Sequence, residues 1–213
     1  SGVRGCVLRA DVTDPSNYRA SEHLDHWLKA RGIIAIAGVD TRALTALIRD
    51  KGMPNGVIAH EPSAKFDLAK LKAEAKAWPG LLGLDLVPEV TVGQTTTWDE
   101  MRWVWGRGYQ QQKAVEFHVV ALDYGLKRNI LRCLASAGCS VTVVPATTSA
   151  EDILARKPDG IFLSNGPGDP AATGKYAVPE IKKLVDSGLP VFGICLGHQM
   201  LGLALGATTK KMH

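Results

Sequence analysis

No run of apolar residues in the 213-residue sequence is long enough to cross a bilayer, and no signal peptide is visible at its start, so a soluble chain is expected. Cysteine is scarce. Cys6, Cys133, Cys139 and Cys195 form no CxxC pair, and no histidine stands at zinc-ligand spacing. That excludes a disulfide framework and a metal site, and it fits reduced thiols in a cytoplasmic setting. A basic tract is also lacking: the formal charge of +4 is spread along the chain, so nucleic acid is not indicated. Its nearest imitation is the alternation of aromatic and basic residues over 102–109, which reads as an edge strand or hairpin leading into a linker. Internal repeats, low-complexity tracts, Gly-Lys-Ser/Thr phosphate loops and GxGxxG spacing are all missing. What is present is 46% hydrophobic and 22% charged residues, enough for a sizeable core in one or two domains, with two as the expectation.

The most informative segment is Val191-Phe192-Gly193-Ile194-Cys195-Leu196-Gly197-His198-Gln199. An apolar run that reads as a buried strand breaks at a cysteine set between glycines, and an apolar helical pattern over 196–205 follows at once. This is the pattern of a nucleophile elbow. The strand-to-helix turn is so tight that side chains two residues either side of the nucleophile would strike neighbouring backbone, and glycine is what fits. The thiol then projects from the carboxyl end of the strand. The first free N–H groups of the following helix, that of Leu196 among them, face negative charge developing beside the sulfur.

A second loop lies at the end of another expected strand. After Ile161-Phe162-Leu163, the segment Ser164-Asn165-Gly166-Pro167-Gly168-Asp169-Pro170 cannot continue in a sheet, because its two prolines lack donors and its two glycines permit unusual backbone angles. In an open parallel sheet the carboxyl ends of neighbouring strands form the ligand crevice, so this loop and the elbow can converge on one site. Alone, Gly-Pro-Gly is more often a turn than a cradle.

Upstream, the pattern predicts a helix from Ser21 to Ala30, a strand over 33–39, a helix capped by Asp40 or Thr41 and stopped by Gly52, a strand over 53–59, and a lysine-rich helix over 68–78. Residues 79–97 read as irregular. From Glu116 onward strands and helices alternate: strands at 117–123, 141–145, 160–163 and 191–194, helices at 127–137, from Thr148 and at 177–187. Thr148 with Glu151 makes a capping box. Short alternation demands right-handed crossovers and hence a doubly wound parallel sheet. The expected division is therefore a smaller α/β domain at 1–105, a linker at 106–115 and a partial doubly wound domain at 116–213. A strand starting over 207–212 would leave an unpaired edge. Lys127 and Arg128, just past a strand's carboxyl end, either meet a partner or anion or are solvated charges in a helix's first turn.

The two loops together resemble the class I glutamine amidotransferases, and in their wording the small-subunit family of carbamoyl phosphate synthetases. The stretches 117–130 and 33–45 agree, and the resemblance covers nearly the whole chain. It implies that Cys195 attacks the side-chain amide of glutamine, forming a thioester and releasing ammonia. It further implies that the backbone at Gly166, Gly168 and Leu196 holds substrate or oxyanion, and that Gln199 contacts the glutamine. Gln199 stands one helical turn beyond Cys195 on the same face, in keeping with that role. The partner implied is a carbamoyl phosphate synthetase large subunit that uses bicarbonate and ATP, with its product drawn on for arginine or pyrimidines; no cofactor is expected on this chain.

The family's general base is a histidine held by a glutamate two residues later, well downstream of the elbow, whereas this sequence stops at His213. His198 neighbours the thiol but is placed beside the elbow and not on the sulfur's proton; His23, His26, His60, His118 and His213 lack the matching context. The family also carries sequence before Ser1. The expectation is a chain truncated at both ends, cut from a glutaminase and inactive alone. Three other readings compete: a cysteine peptidase, which the Gly-Pro-Gly-Asp-Pro loop disfavours; an amidotransferase serving another synthetase, which the upstream part disfavours; and a non-catalytic partner-binding module.

Overall fold

The computed structural model describes residues 3–210. They form two compact units, one over 3–80 and the other over 81–210. In the first, β1 (Gly5–Val7) pairs in parallel with β2 (Ile34–Ile36), and α1 (Leu24–Lys29) lies between them in sequence. The start of α1 is at His23, whose ring accepts from Asp25 N, and not at the Ser21 expected. The Asp40 carboxylate caps α2 (Thr41–Lys51) by accepting from Ala43 N at 3.0 Å, and Gly52 at φ 82° ends it. Asp67 caps α3 (Leu68–Ala77) in the same way. The strand expected over 53–59 is absent. Pro54 removes a ladder donor there, and the Asn55 side chain is held by the Trp78 carbonyl at 2.8 Å.

The second unit is built on one five-stranded sheet. Its strands are β3 (Thr96–Trp98), β6 (Phe117–Asp123), β7 (Cys139–Pro145), β8 (Gly160–Leu163) and β9 (Val191–Gly193), in the order β3-β7-β6-β8-β9. All pairings are parallel except that of β3, which adds antiparallel to the edge of β7. Between them run α4 (Arg128–Ser136), α5 (Ala150–Leu154) and α6 (Pro170–Asp186), and α7 (Leu196–Ala204) follows β9. Period-2 alternation divides the strand residues between two cores. Val120, Leu122, Val144, Ile161 and Leu163 face one way and pack with Ile153, Ile181, Leu184 and Met200 of α5, α6 and α7. Ala121, Val141, Val143 and Phe162 face the other way, against Leu131 of α4. The unit is thus a mixed α/β, parallel-dominant, doubly wound sheet with helices on both faces, as the alternation predicted.

The compact units divide at Gly80 and Leu81, upstream of the 106–115 segment expected as a linker. Residues 100–111 instead form the hairpin β4 (Glu100–Val104) and β5 (Gly108–Gln111), the hairpin expected from the aromatic–basic alternation. Two contacts bind it to α4. Arg132 Nε donates to Glu100 Oε1 at 2.6 Å while its guanidinium lies 4.1 Å over the Tyr109 ring, and Arg102 N donates to Ser136 Oγ at 2.9 Å. With β3 in the main sheet, the chain cannot separate into domains at this point.

Three further expectations are corrected. Ser149, not Thr148, caps α5: its hydroxyl accepts from Asp152 N and donates to the Asp152 carboxylate, so the reciprocal cap sits one residue later than read. Glu151 pairs with Lys183 instead. Helix α6 begins at Pro170, not near Ala177, because Asp169 caps it and Pro170 supplies a preset N1. It runs through Pro179 without breaking because Pro179 and Lys175 are exposed, so the carbonyl deprived of a donor is on the solvent side. Residues 207–210 carry no strand, and 211–213 lie outside the described residues.

Glu180 joins α6 to the start of α5. Its carboxylate accepts from Ala150 N at 2.7 Å and from Lys183 Nζ at 2.9 Å, and these two bonds, the backbone one first, hold its carboxyl below the ordinary 4.5. A depressed carboxyl contributes stability that is complete above the unfolded value and is lost as pH falls through the folded one. In urea denaturations at a series of pH values, the unfolding free energy should decline below 4.5 more steeply for the wild type than for Glu180→Gln, which keeps the oxygen facing Ala150 but does not titrate.

Candidate active site

Cys195 stands between the end of β9 and the first residue of α7. Its backbone has φ 54° and ψ −110°, a region sparsely populated by side-chain-bearing residues and costing on the order of 1–3 kcal/mol. The two flanking glycines explain how the turn survives. A Cβ on Gly193 would fall 2.7 Å from the Gly197 carbonyl carbon and from His198 N. A Cβ on Gly197 would overlap the Leu163 carbonyl oxygen and lie 2.6 Å from its carbon. Neither position admits a side chain, because backbone already fills the space. The Cys195 thiol is exposed, as are His198 and Gln199, while Leu196 is buried among Tyr124, Leu163 and Met200. Gln199 N donates to Cys195 O at 3.0 Å, which places Gln199 one turn along α7 from the cysteine.

The proline-and-glycine loop lies directly against this turn. Ile194 N donates to Leu163 O and Gly197 N to Ser164 O, both at 3.0 Å, so the elbow extends the edge of β8 by two bonds. At Gly166 a Cβ would overlap the Tyr124 carbonyl and come within 2.8 Å of Leu196 Cδ2. Gly168, at φ 96°, leaves only 2.8 Å between such a Cβ and Leu84 O. Gly166 therefore packs on Leu196 beside Cys195 at the carboxyl edge of the sheet, with Gln199 one turn along α7, while Gly168, two residues further along the loop, packs on Leu84 and Leu86.

The supports of the site are carboxylates and hydroxyls that the sequence did not single out. Buried Asp123, at the end of β6, accepts from Gly125 N, Leu126 N and Val92 N at 2.7–2.9 Å. Asp169 accepts from Ala171 N and Gly83 N, and its own N–H donates to Leu84 O. Asp85 accepts from Thr173 Oγ1 at 2.9 Å. Together these bonds lay residues 83–92 along the loops that follow β6 and β8. The signal available in the sequence was a set of aspartates next to turn glycines, which is too common to single out.

Family models agree with the geometry. One described as glutamine amidotransferase class-I matches residues 120–213, and one described as carbamoyl-phosphate synthase small chain, CPSase domain, matches residues 1–58. A Bradyrhizobium diazoefficiens protein named carbamoyl phosphate synthase small chain is 72% identical over 212 residues, covering 100% of this chain and 54% of that protein. Relatives of the same name from Agrobacterium fabrum and Brucella anthropi are 65% and 66% identical, again over 100% of this chain and 53% and 52% of their own. The chain belongs to the carbamoyl phosphate synthase small chain family. It spans about half the length of the curated relatives it matches.

His23 caps α1, His60 and His26 are exposed, and His118 Nε2 sits 2.9 Å from Thr142 Oγ1 near the amino end of β6, opposite the carboxyl edge. His213 lies outside the described residues. Lys127 and Arg128 are exposed at the start of α4. Two phenols behind the loops stand out. Among the described residues the buried hydroxyls of Tyr124 and Tyr176 find no hydrogen-bond partner, and burial pushes both ionisations well up, Tyr176 further raised by the Asp85 carboxylate.

Helix α7 offers an internal control on the steric argument. Gly197→Ala should destabilise by about 2–3 kcal/mol, the cost of forcing an atom into packed backbone. Gly202→Ala, whose Cβ would meet nothing nearer than Ala207 Cβ at 3.8 Å, should stabilise by about 0.5–1 kcal/mol through helix propensity. Urea unfolding of the two variants reads both signs.

Proposed function

We propose that this chain carries the nucleophile of a glutaminase and belongs to a protein that supplies ammonia to a carbamoyl phosphate synthetase large subunit. The observation that carries the reading is Cys195: an exposed thiol between two glycines that admit no side chain, on a strained turn whose Ile194 and Gly197 N–H groups bond Leu163 O and Ser164 O where the Gly-Pro-Gly loop begins.

The chemistry follows from that placement. The sulfur adds to the side-chain carbonyl carbon of glutamine, and the carbonyl oxygen takes the negative charge. N–H groups at the start of α7, beginning with Leu196, and at Gly166 and Gly168 are the donors available to it, in a position where fixed dipoles act without reorganising. The C–N bond then breaks, the nitrogen leaves as ammonia after receiving a proton, and a thioester remains. Water attacks the thioester, glutamate departs and the thiol is restored. Gln199, one turn along α7, is assigned to hold the substrate.

Proton transfer in both halves needs a base beside the sulfur, and neither His118 nor His198, the two histidines among the second unit's described residues, hydrogen-bonds it. The reading assigns it to the histidine–glutamate pair that the family resemblance puts downstream of the elbow, and it assigns ATP to the large subunit. The isolated 213-residue chain is accordingly expected to lack sustained turnover.

A full-length small chain should hydrolyse glutamine and be labelled at Cys195 by a glutamine-analogue electrophile, and Cys195→Ser should abolish both. Unchanged hydrolysis in the serine variant would refute the assignment, and an unlabelled thiol would favour a non-catalytic binding module. Turnover by the 213-residue chain that vanishes on Cys195→Ser would show that the residues present suffice.

A further inference from the structure

The strand order β7-β6-β8-β9 reverses direction between β6 and β8, because the chain leaves β6 toward β7 and returns across it to β8. In doubly wound sheets that reversal is where the loops diverge and open a ligand crevice. In this chain the gap is spanned. Tyr124 N donates to Ser164 Oγ at 2.8 Å, and the same hydroxyl donates to Asn165 O at 2.8 Å. The Asn165 carboxamide completes the closure: Nδ2 donates to Gly125 O at 2.9 Å and Oδ1 accepts from Lys127 N at 3.3 Å. A reversed amide would set donor against donor and acceptor against acceptor, so the network itself fixes which end is which. Pro167 and Gly166 fill what remains, since a Cβ on Gly125 would come within 2.9 Å of Pro167 Cδ and 3.2 Å of Gly166 Cα. The exposed thiol opens one strand further along, after β9.

We propose that Asn165 is a positioning residue whose side chain clasps the turn after β6 to the turn after β8. It closes the switch-point crevice and holds the Gly166–Gly168 backbone in register with Cys195. The inference rests on the reading of Cys195 as the nucleophile and of this loop as the substrate and oxyanion cradle. Asn165 touches neither the thiol nor, in this scheme, the substrate. Its amide acts on the residue next to it in the chain, Gly166, whose lack of a side chain already lets the loop approach Tyr124 and Leu196. Loosening the clasp would let the cradle drift, and a displacement of about 1 Å in reacting groups costs roughly a hundredfold in rate.

The test uses the full-length small chain with its large subunit. Asn165→Ala should lower kcat/KM for glutamine hydrolysis by about a hundredfold, with most of the loss in kcat because the cradle acts on the developing oxyanion. The melting temperature should fall by no more than several degrees, the cost of two lost hydrogen bonds, and the rate at which iodoacetamide, which needs no cradle, alkylates Cys195 should stay at the wild-type level. Should the alanine variant fail to fold, Asn165→Asp, equal in shape but setting a carboxylate against the Gly125 carbonyl, takes its place in the same comparison. A kcat/KM within threefold of wild type, or an equal loss in alkylation and hydrolysis, would overturn the proposal. Cys195→Ser separates the two claims: if it is inactive while Asn165→Ala is normal, only the clasp is wrong; if it remains active, the nucleophile assignment falls first.

Discussion

The second unit depends on how closely the first turn of α7 approaches the end of β8. Gly197 rests on the Leu163 carbonyl with no room for a methyl group, and that contact brings Ile194 and Gly197 within hydrogen-bonding distance of Leu163 and Ser164. A helix normally stands off a sheet by the depth of two side-chain layers. Here one layer is missing at one residue, so the chain must turn sharply at Cys195 and take up a positive φ. Exposure of the thiol and the adjacency of the two loops both follow from this single approach.

Around that contact, polar side chains serve mainly to satisfy backbone. Among the described residues Asp123, Asp169 and Asp85 pair with no cation; they accept N–H groups from turns that have left the sheet and, at Asp169, from the first turn of α6 as well. Loops at the carboxyl edge of a sheet would otherwise bury unpaired donors, each costing about 1–3 kcal/mol. The same aspartates lay residues 83–92 over the site, which is why a segment that looked patternless is ordered in place.

How much could be read in advance differs by element. The Gly-x-Cys-x-Gly elbow and the alternation from β6 to α7 were legible because both are local: the first is a steric signature, the second a match of period to burial. Strand β3 was not legible, since three residues of threonine and tryptophan become a strand only when β7 offers an edge. The domain boundary was missed for the same reason, as Arg132 and Ser136 reach back across more than thirty residues to hold the hairpin. Helix α6 was read as starting only at 177, whereas Asp169 caps it at Pro170, inside a segment whose prolines and glycines look like loop; Pro179 leaves it unbroken because it is exposed. Within the candidate site, the glycines flanking Cys195 drew attention to it and the family resemblance to Gly166 and Gly168, while the proposed clasp of Asn165 depends on Gly125 and Lys127 being brought alongside it.

The φ of Cys195 carries a consequence for how such a protein changes over time. Its backbone is shaped for glycine, the residue that sits there without strain, yet glycine would remove the sulfur on which the proposed chemistry rests. Drift toward a calmer fold and retention of chemistry thus pull this codon in opposite directions. If the proposed role of Cys195 holds, a homologue that had lost that duty would be free to relax here first, and the residue occupying this one corner marks whether a given copy retains it.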